Sequence, residues 1–246
     1  AWLNDSVIIQ NSLPAQVSLS SPEDGNNTQD RTPTLTWSVP SDDDSDSLTY
    51  HVFVNDSAGG IIYNQTGIAT NSYTFSSDLT LDDTYFWRIR ANDSEDFGTW
   101  SDLWNFTVDS VVTISATTGS ISFGSLGPGV TDNTSDDSPS PFVIQNDGNS
   151  LINISVNASQ LFDQAAMGTD PYQFKIDNST ETGSFNWLTS IINWINMPSA
   201  AVVAIDSLKY EDSTDSAEID ILATVPTDEL AGSKSSTVYF EAAIAE

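Results

Sequence analysis

Apolar residues along this chain come in short alternating bursts separated by clusters of Pro, Gly, Asn, Asp and Ser, a period of two that predicts β-strands rather than helices. Leu48 to Asn55 (LTYHVFVN) alternates strictly, with Tyr50, Val52 and Val54 on one face. Thr84 to Ala91 (TYFWRIRA) and Trp104 to Val108 (WNFTV) repeat the pattern, and shorter bursts lie at Val17–Leu19, Leu35–Trp37, Ile61–Tyr63 and Ser72–Phe75. That makes about seven strands before residue 109, the number a β-sandwich needs.

The same period continues downstream. Val111–Ile114 and Ser120–Phe123 are predicted strands, followed by a Gly-Pro-Gly break at 127–129. Phe142–Gln145 and Leu151–Val156 flank Asn146-Asp147-Gly148-Asn149 and read as a hairpin, because Asp-Gly is a strong turn signal. Phe185 to Met197 is apolar at mixed spacing and fits one helical turn or a buried strand. Ala217–Val225 and Thr237–Ile244 close the chain as strands.

The order Trp37, Tyr50-x-Val52-x-Val54, Leu79-x5-Tyr85 and Arg88-Ile89-Arg90-Ala91 resembles a fibronectin type III domain. The resemblance implies that Trp37 packs in the core and that Leu79 and Tyr85 form a tyrosine corner. Downstream, ISFGSLGPG, PFVIQNDGNSLINISV and VPTDELAGSKSSTVYFEA are similar to a β-sandwich module of archaeal surface proteins and, more distantly, to TasA-like matrix-fibre proteins. The fold expected is therefore all-β: two tandem sandwiches, the first Ig-like or fibronectin type III-like and the second jelly-roll or Ig-like, with an extended N-terminal strand. The expected division is an arm at 1–13, a first sandwich at 14–109 and a second at 110–246. No Gly/Ser-rich tether separates the sandwiches, so a short, stiff junction is expected.

Charge narrows the function. The net charge is −29, from 35 acidic residues against six Lys and Arg, and it is spread almost evenly over both halves. Nucleic acid is excluded as a partner, since phosphate recognition needs clustered Lys and Arg. No apolar run is long enough to span a membrane, so no membrane insertion is expected. The chain has no cysteine, which removes disulfides, thiolate metal sites and cysteine nucleophiles together.

Ten Asn-x-Ser/Thr sequons, at Asn4, Asn26, Asn55, Asn64, Asn92, Asn105, Asn133, Asn153, Asn157 and Asn178, run the length of the chain. They point to N-linked glycans on an extracellular, cell-surface protein whose signal peptide has been removed. An Asn/Ser/Thr-rich turn composition is the plainer alternative. The arm carries Trp2, Leu3, Val7, Ile8 and Ile9, too apolar to lie free in water. It is either an edge strand on its own chain or a donor strand completing a neighbouring subunit's sheet, the device for which TasA-like fibres are known.

Asp42-Asp43-Asp44-Ser45-Asp46 admits two readings: a solvated acidic turn, or a calcium loop with ligands from Asp42, Asp44 and Asp46. The EF-hand pattern is absent. His51 is the sole histidine and faces away from the core on strand alternation, so an enzyme built on it is not expected. Trp2, Trp87, Trp100, Trp104, Trp187 and Trp194 would serve sugar binding only if they shared one exposed face. No cofactor is required by any motif. The sequence thus predicts a non-enzymatic subunit of an extracellular filament, a homopolymer joined by its N-terminal arm. The alternatives are an adhesin that binds surface glycans and a monomeric module of a surface-layer protein.

Overall fold

The computed structural model describes residues 10–245; Trp2, Leu3, Asn4, Val7, Ile8 and Ile9 lie outside them. Regular structure among the described residues is entirely β, and the chain divides into two compact units between Ser110 and Val111. It is a tandem pair of β-sandwiches.

The first unit holds β1 (Leu19–Ser21), β2 (Asn26–Thr28), β3 (Thr34–Trp37), β4 (Thr49–Asn55), β5 (Ile61–Ile68), β6 (Ser72–Thr74), β7 (Asp83–Asn92) and β8 (Trp104–Val108). One sheet runs β1-β3-β6 and the other β2-β8-β7-β4-β5, a sandwich of three strands against five in which the short β2 pairs parallel with β8. Alternation explains the layers. Tyr50, Val52 and Val54 of β4 and Tyr85, Trp87, Ile89 and Ala91 of β7 point inward onto Leu35 and Trp37 of the facing sheet. The tyrosine corner forms: Leu79 and Tyr85 are buried, and the Tyr85 hydroxyl donates to the Thr80 carbonyl oxygen at 3.1 Å. At Gly98 a Cβ would sit 2.4 Å from the Pro14 carbonyl oxygen, so the strip entering the sandwich can pass only over a glycine.

The second unit holds β9 (Ile114–Ala116), β10 (Thr131–Asn133), β11 (Phe142–Asn146), β12 (Ile152–Ala158), β13 (Tyr172–Asn178), β14 (Ile195–Asn196), β15 (Val202–Leu208), β16 (Ser216–Thr224) and β17 (Val238–Ile244). Its larger sheet runs β14-β13-β16-β11-β9, with β10 also on β16, and its smaller sheet runs β15-β12-β17. Ile144, Ile152, Ile154, Phe174, Ile176 and Ile219 meet between them.

Two expectations fail here. β11 and β12 are not a hairpin, because they belong to opposite sheets. The Asn146-Asp147-Gly148-Asn149 turn carries the chain across the sandwich, held by Asn146 Nδ2, which donates to the carbonyl oxygens of Ser150 and Leu208 at 2.8 and 3.2 Å. Both strands must bury an apolar side, Ile144 of β11 and Ile152, Ile154 and Val156 of β12, and placing those sides opposite each other buries both. Ser120–Phe123 is not a strand, because among the described residues no sheet edge pairs with it. Residues 185–197 hold one turn, where the Ser190 N–H donates to the Asn186 carbonyl oxygen at 3.1 Å, and a two-residue strand at Ile195–Asn196, with Phe185 and Met197 in the core and Leu188 fully out in solvent.

Candidate functional site

The second sandwich is not filled to its edge. Along β17 a groove of about 1080 Å³ opens between the two sheets. Its apolar lining comes from Ile121, Phe123 and Leu126 of the irregular 117–130 segment, Phe142 of β11, Leu161, Phe162, Ile221 and Val225, and Val238 and Phe240 of β17. The cause lies in β17. Val238, Phe240 and Ala242 face inward, yet they are only half-buried. The strand pairs with β12 on one side, and the 117–130 segment lies across the space beyond without pairing. Thr117 and Gly129 donate to the carbonyl oxygens of Val143 and Val225. Among the described residues, no backbone hydrogen bond ties 118–126 to a strand. The groove therefore offers both an apolar floor and an unpaired strand edge, the two features that receive an extended peptide by strand addition.

Charge is scarce in the groove. Glu229, with 2% of its side chain exposed, pairs with Lys234 at 2.6 Å, and Lys234 also meets Asp163 at 2.5 Å. Lys234 holds the Glu229 carboxyl below the usual carboxylate range. This pair ties the 226–237 loop to the 161–164 loop, where the Gln164 N–H donates to Glu229 at 2.9 Å.

Asp42, Asp44 and Asp46 do come together, each offering an oxygen within 4.8 Å of the others. Asp42 Oδ1 accepts from the N–H groups of Asp44 and Asp46 at 3.0 and 3.3 Å, and Asp44 Oδ2 accepts from the Ser12 N–H at 2.6 Å. Those bonds are what a self-capped acidic turn makes, and a hard cation would need several more oxygens than three.

Nine of the ten sequon asparagines are described, and none is buried. Asn26 and Asn64 are exposed. The amide nitrogens of Asn92 and Asn105 are engaged within the fold, donating to Asp96 O at 3.0 Å and to Asp24 Oδ1 at 2.9 Å.

Within neither unit do the described tryptophans form one exposed platform. Trp87 is fully buried, so it leaves the sugar-platform set. A cationic ladder on the outer face of β7 is built on Trp100. Arg88 and Arg90 alternate outward from β7, each guanidinium 4.5 Å from the Trp100 ring, with Phe53 and Phe97 completing the stack. Trp104 packs edge-on against Trp87, Trp187 stacks on Phe185, and Trp194 lies over Lys175. His51 joins the outer ladder. Its Nδ1 accepts from Arg90 Nε at 3.2 Å and its Nε2 faces Asn64 Oδ1 at 2.7 Å, which suits the neutral ring protonated on Nε2.

No known family profile matches this chain, and no curated protein matches it. Solved structures share it as a loose likeness. A chicken CNTN1 fragment of three fibronectin domains is 12% identical with a TM-score of 0.34, covering 96% of this chain and 69% of that one. The chicken interferon gamma receptor alpha chain is 14% identical with a TM-score of 0.32, covering 94% and 91%. A carbohydrate-binding module of a β-sandwich superfamily is 13% identical with a TM-score of 0.25, covering 94% and 97%. Among the described residues no helix is long and apolar enough to cross a membrane.

Proposed function

We propose that this protein is a structural, non-enzymatic subunit of an extracellular filament, in which the N-terminal arm of one copy is laid into the second-unit groove of the next. The observation that carries the reading is the groove itself: about 1080 Å³ of largely apolar space beside the unpaired edge of β17. A β-strand rises about 3.3 Å per residue, so nine extended residues would reach about 30 Å, enough to run the length of the seven-residue β17. The arm supplies apolar residues on both faces, Val7 and Ile9 on one and Ile8 on the other, and a strand lying between a sheet edge and the 117–130 segment needs both. A donor and an acceptor on different surfaces of one chain generate an open polymer rather than a closed ring. The acidic surface and N-linked glycans would keep neighbouring fibres hydrated and apart.

The test is negative-stain electron microscopy of the full chain beside a chain lacking residues 1–9. Fibres that vanish with the arm and return on mixing with full-length protein are expected. Monodisperse particles in both samples would overturn the filament and leave a monomeric surface module.

A further inference from the structure

The outer face of the larger sheet in the second unit carries a polar cluster that the groove does not use. Lys175 of β13 and Asp220 of β16 stand directly opposite each other across the antiparallel ladder, with Asp177 opposite Glu218 one step along. Lys175 Nζ lies 3.1 Å from Asp220 Oδ2 and 2.6 Å from Asp177 Oδ2. Only 2% of the Asp220 side chain is exposed, and 15% of Lys175. The reason is local: leaving β10, the chain passes over this face. The Thr134 hydroxyl, itself buried, donates to Asp220 Oδ1 at 2.7 Å and accepts from the Ile221 N–H at 3.0 Å. The Trp194 ring covers the other side, its centroid 5.6 Å from Lys175 Nζ.

An ammonium and a carboxylate enclosed this way form an expensive pair, because desolvating two charges costs about as much as their attraction returns. Amide formation removes both charges at once. We propose that Lys175 and Asp220 condense into an intramolecular amide, a covalent cross-strand staple in a chain that has no cysteine.

The geometry supplies the parts. Asp177, in contact with the ammonium, takes one proton and frees the amine lone pair. Nζ attacks Cγ of Asp220, and negative charge develops on Oδ1, where the Thr134 hydroxyl already donates. The Nζ–Cγ bond remains and the Cγ–Oδ2 bond breaks. Oδ2 departs as water, carrying the proton held by Asp177 and a second proton from Nζ. One hydrogen stays on the amide nitrogen, the ammonium and carboxylate charges cancel, and no oxidant or co-reactant is needed. Burial and the charges of Asp137, Asp220 and Asp177 push the neighbouring Glu218 carboxyl up to about 7, as a poorly hydrated face would.

The bond would close the chain between β13 and β16, adjacent strands of the larger sheet, and so restrict the unfolded ensemble as a disulfide does. It does not depend on the filament reading.

Intact-mass spectrometry of the deglycosylated full chain tests it. The expected mass is one water below that of the sequence, with proteolysis yielding a branched peptide that joins Lys175 to Asp220. Lys175→Arg and Asp220→Ala should restore the full mass, and Asp177→Asn and Thr134→Val should leave most molecules unlinked under the same conditions. A full-mass parent protein overturns the proposal. So does a water loss that maps elsewhere: to a Lys175–Asp177 link, to Lys234, or to a cyclised Asp147-Gly148. The parent measurement decides even if a variant fails to fold.

Discussion

The Tyr85 hydroxyl donates to the carbonyl oxygen of Thr80, 3.1 Å away and five residues earlier in the chain. Its ring lies stacked on Phe106 in the core. The bond pins the corner where the chain crosses into β7, and burial pushes the hydroxyl's pKa up, so it stays a donor throughout the neutral range. Replacing Tyr85 with Phe should cost about 1–2 kcal/mol, the loss of one hydrogen bond made by a buried side chain. Leu79→Ala removes buried apolar volume from the same corner and should cost about 2–5 kcal/mol. Chemical denaturation of the full chain, followed by tryptophan fluorescence, checks both; a Tyr85→Phe protein as stable as the parent, with Leu79→Ala still destabilised, would mean the corner is only a hydrophobic plug.

Asp93 and Glu218 should respond oppositely to acid. Asp93 is held below the usual carboxylate range by the Asp96 N–H first, and also by Asn11 and the Glu95 N–H. Its folded pKa is depressed, so its contribution is present above the unfolded value and is lost as pH falls through the folded one. Glu218 is raised to about 7, above its unfolded value of about 4.3. Its contribution is therefore full below that unfolded value and is lost as pH rises through about 7. Glu218→Gln should melt higher than the parent at about pH 8 and level with it at about pH 4. Asp93→Asn should show the reverse ordering, weaker than the parent at neutral pH and closest to it in acid. Thermal melts of the three proteins across pH would reveal either sign failing.

Sequon occupancy should follow the hydrogen bonds. Asn26 and Asn64 are exposed and should be the most heavily modified of the described sites. Asn105, whose amide donates to Asp24 Oδ1 at 2.9 Å, should be the least, because attachment on the same nitrogen displaces that contact. Glycopeptide mass spectrometry of the protein from its native source gives the occupancies directly. High occupancy at Asn105 with none at Asn26 would mean that attachment precedes folding.

A charge placed in the groove should separate folding from assembly. Phe240 faces the groove from β17 and is half-buried. If the proposed assembly runs through this groove, Phe240→Asp should leave the circular dichroism spectrum unchanged and form no fibres under the electron microscope. It should still donate its own arm, so it should cap parent fibres and shorten them when the two are mixed. Normal fibres from Phe240→Asp alone would place the acceptor somewhere other than β17.

Much of the fold was legible because alternation reports which side of a sheet a residue faces. Tyr50, Val52 and Val54 of β4 follow the pattern read from sequence, as does the Leu79–Tyr85 corner. Trp87 and Trp100 show where such reading stops. The strand phase that sends Arg88 and Arg90 outward sends Trp87 inward. The ring that meets those arginines comes from Trp100 (a residue outside any strand), and nothing local signals that approach. The Asp-Gly hairpin expectation failed for a related reason. A turn signal reports that the chain reverses, but whether the flanking strands then pair or face each other depends on which arrangement buries more of both.

The candidate sites divide in the same way. Sequence alone determined the all-β class, the acidic surface without cysteine, the sequons and the apolar arm, since composition, spacing and period belong to the chain before it folds. Tertiary structure alone decided that Ser120–Phe123 would line a groove rather than form a strand. It also set Lys175 opposite Asp220 beneath Thr134. These depend on register and on which sheet edge is left without a neighbour, and both are fixed by contacts between segments far apart in the chain.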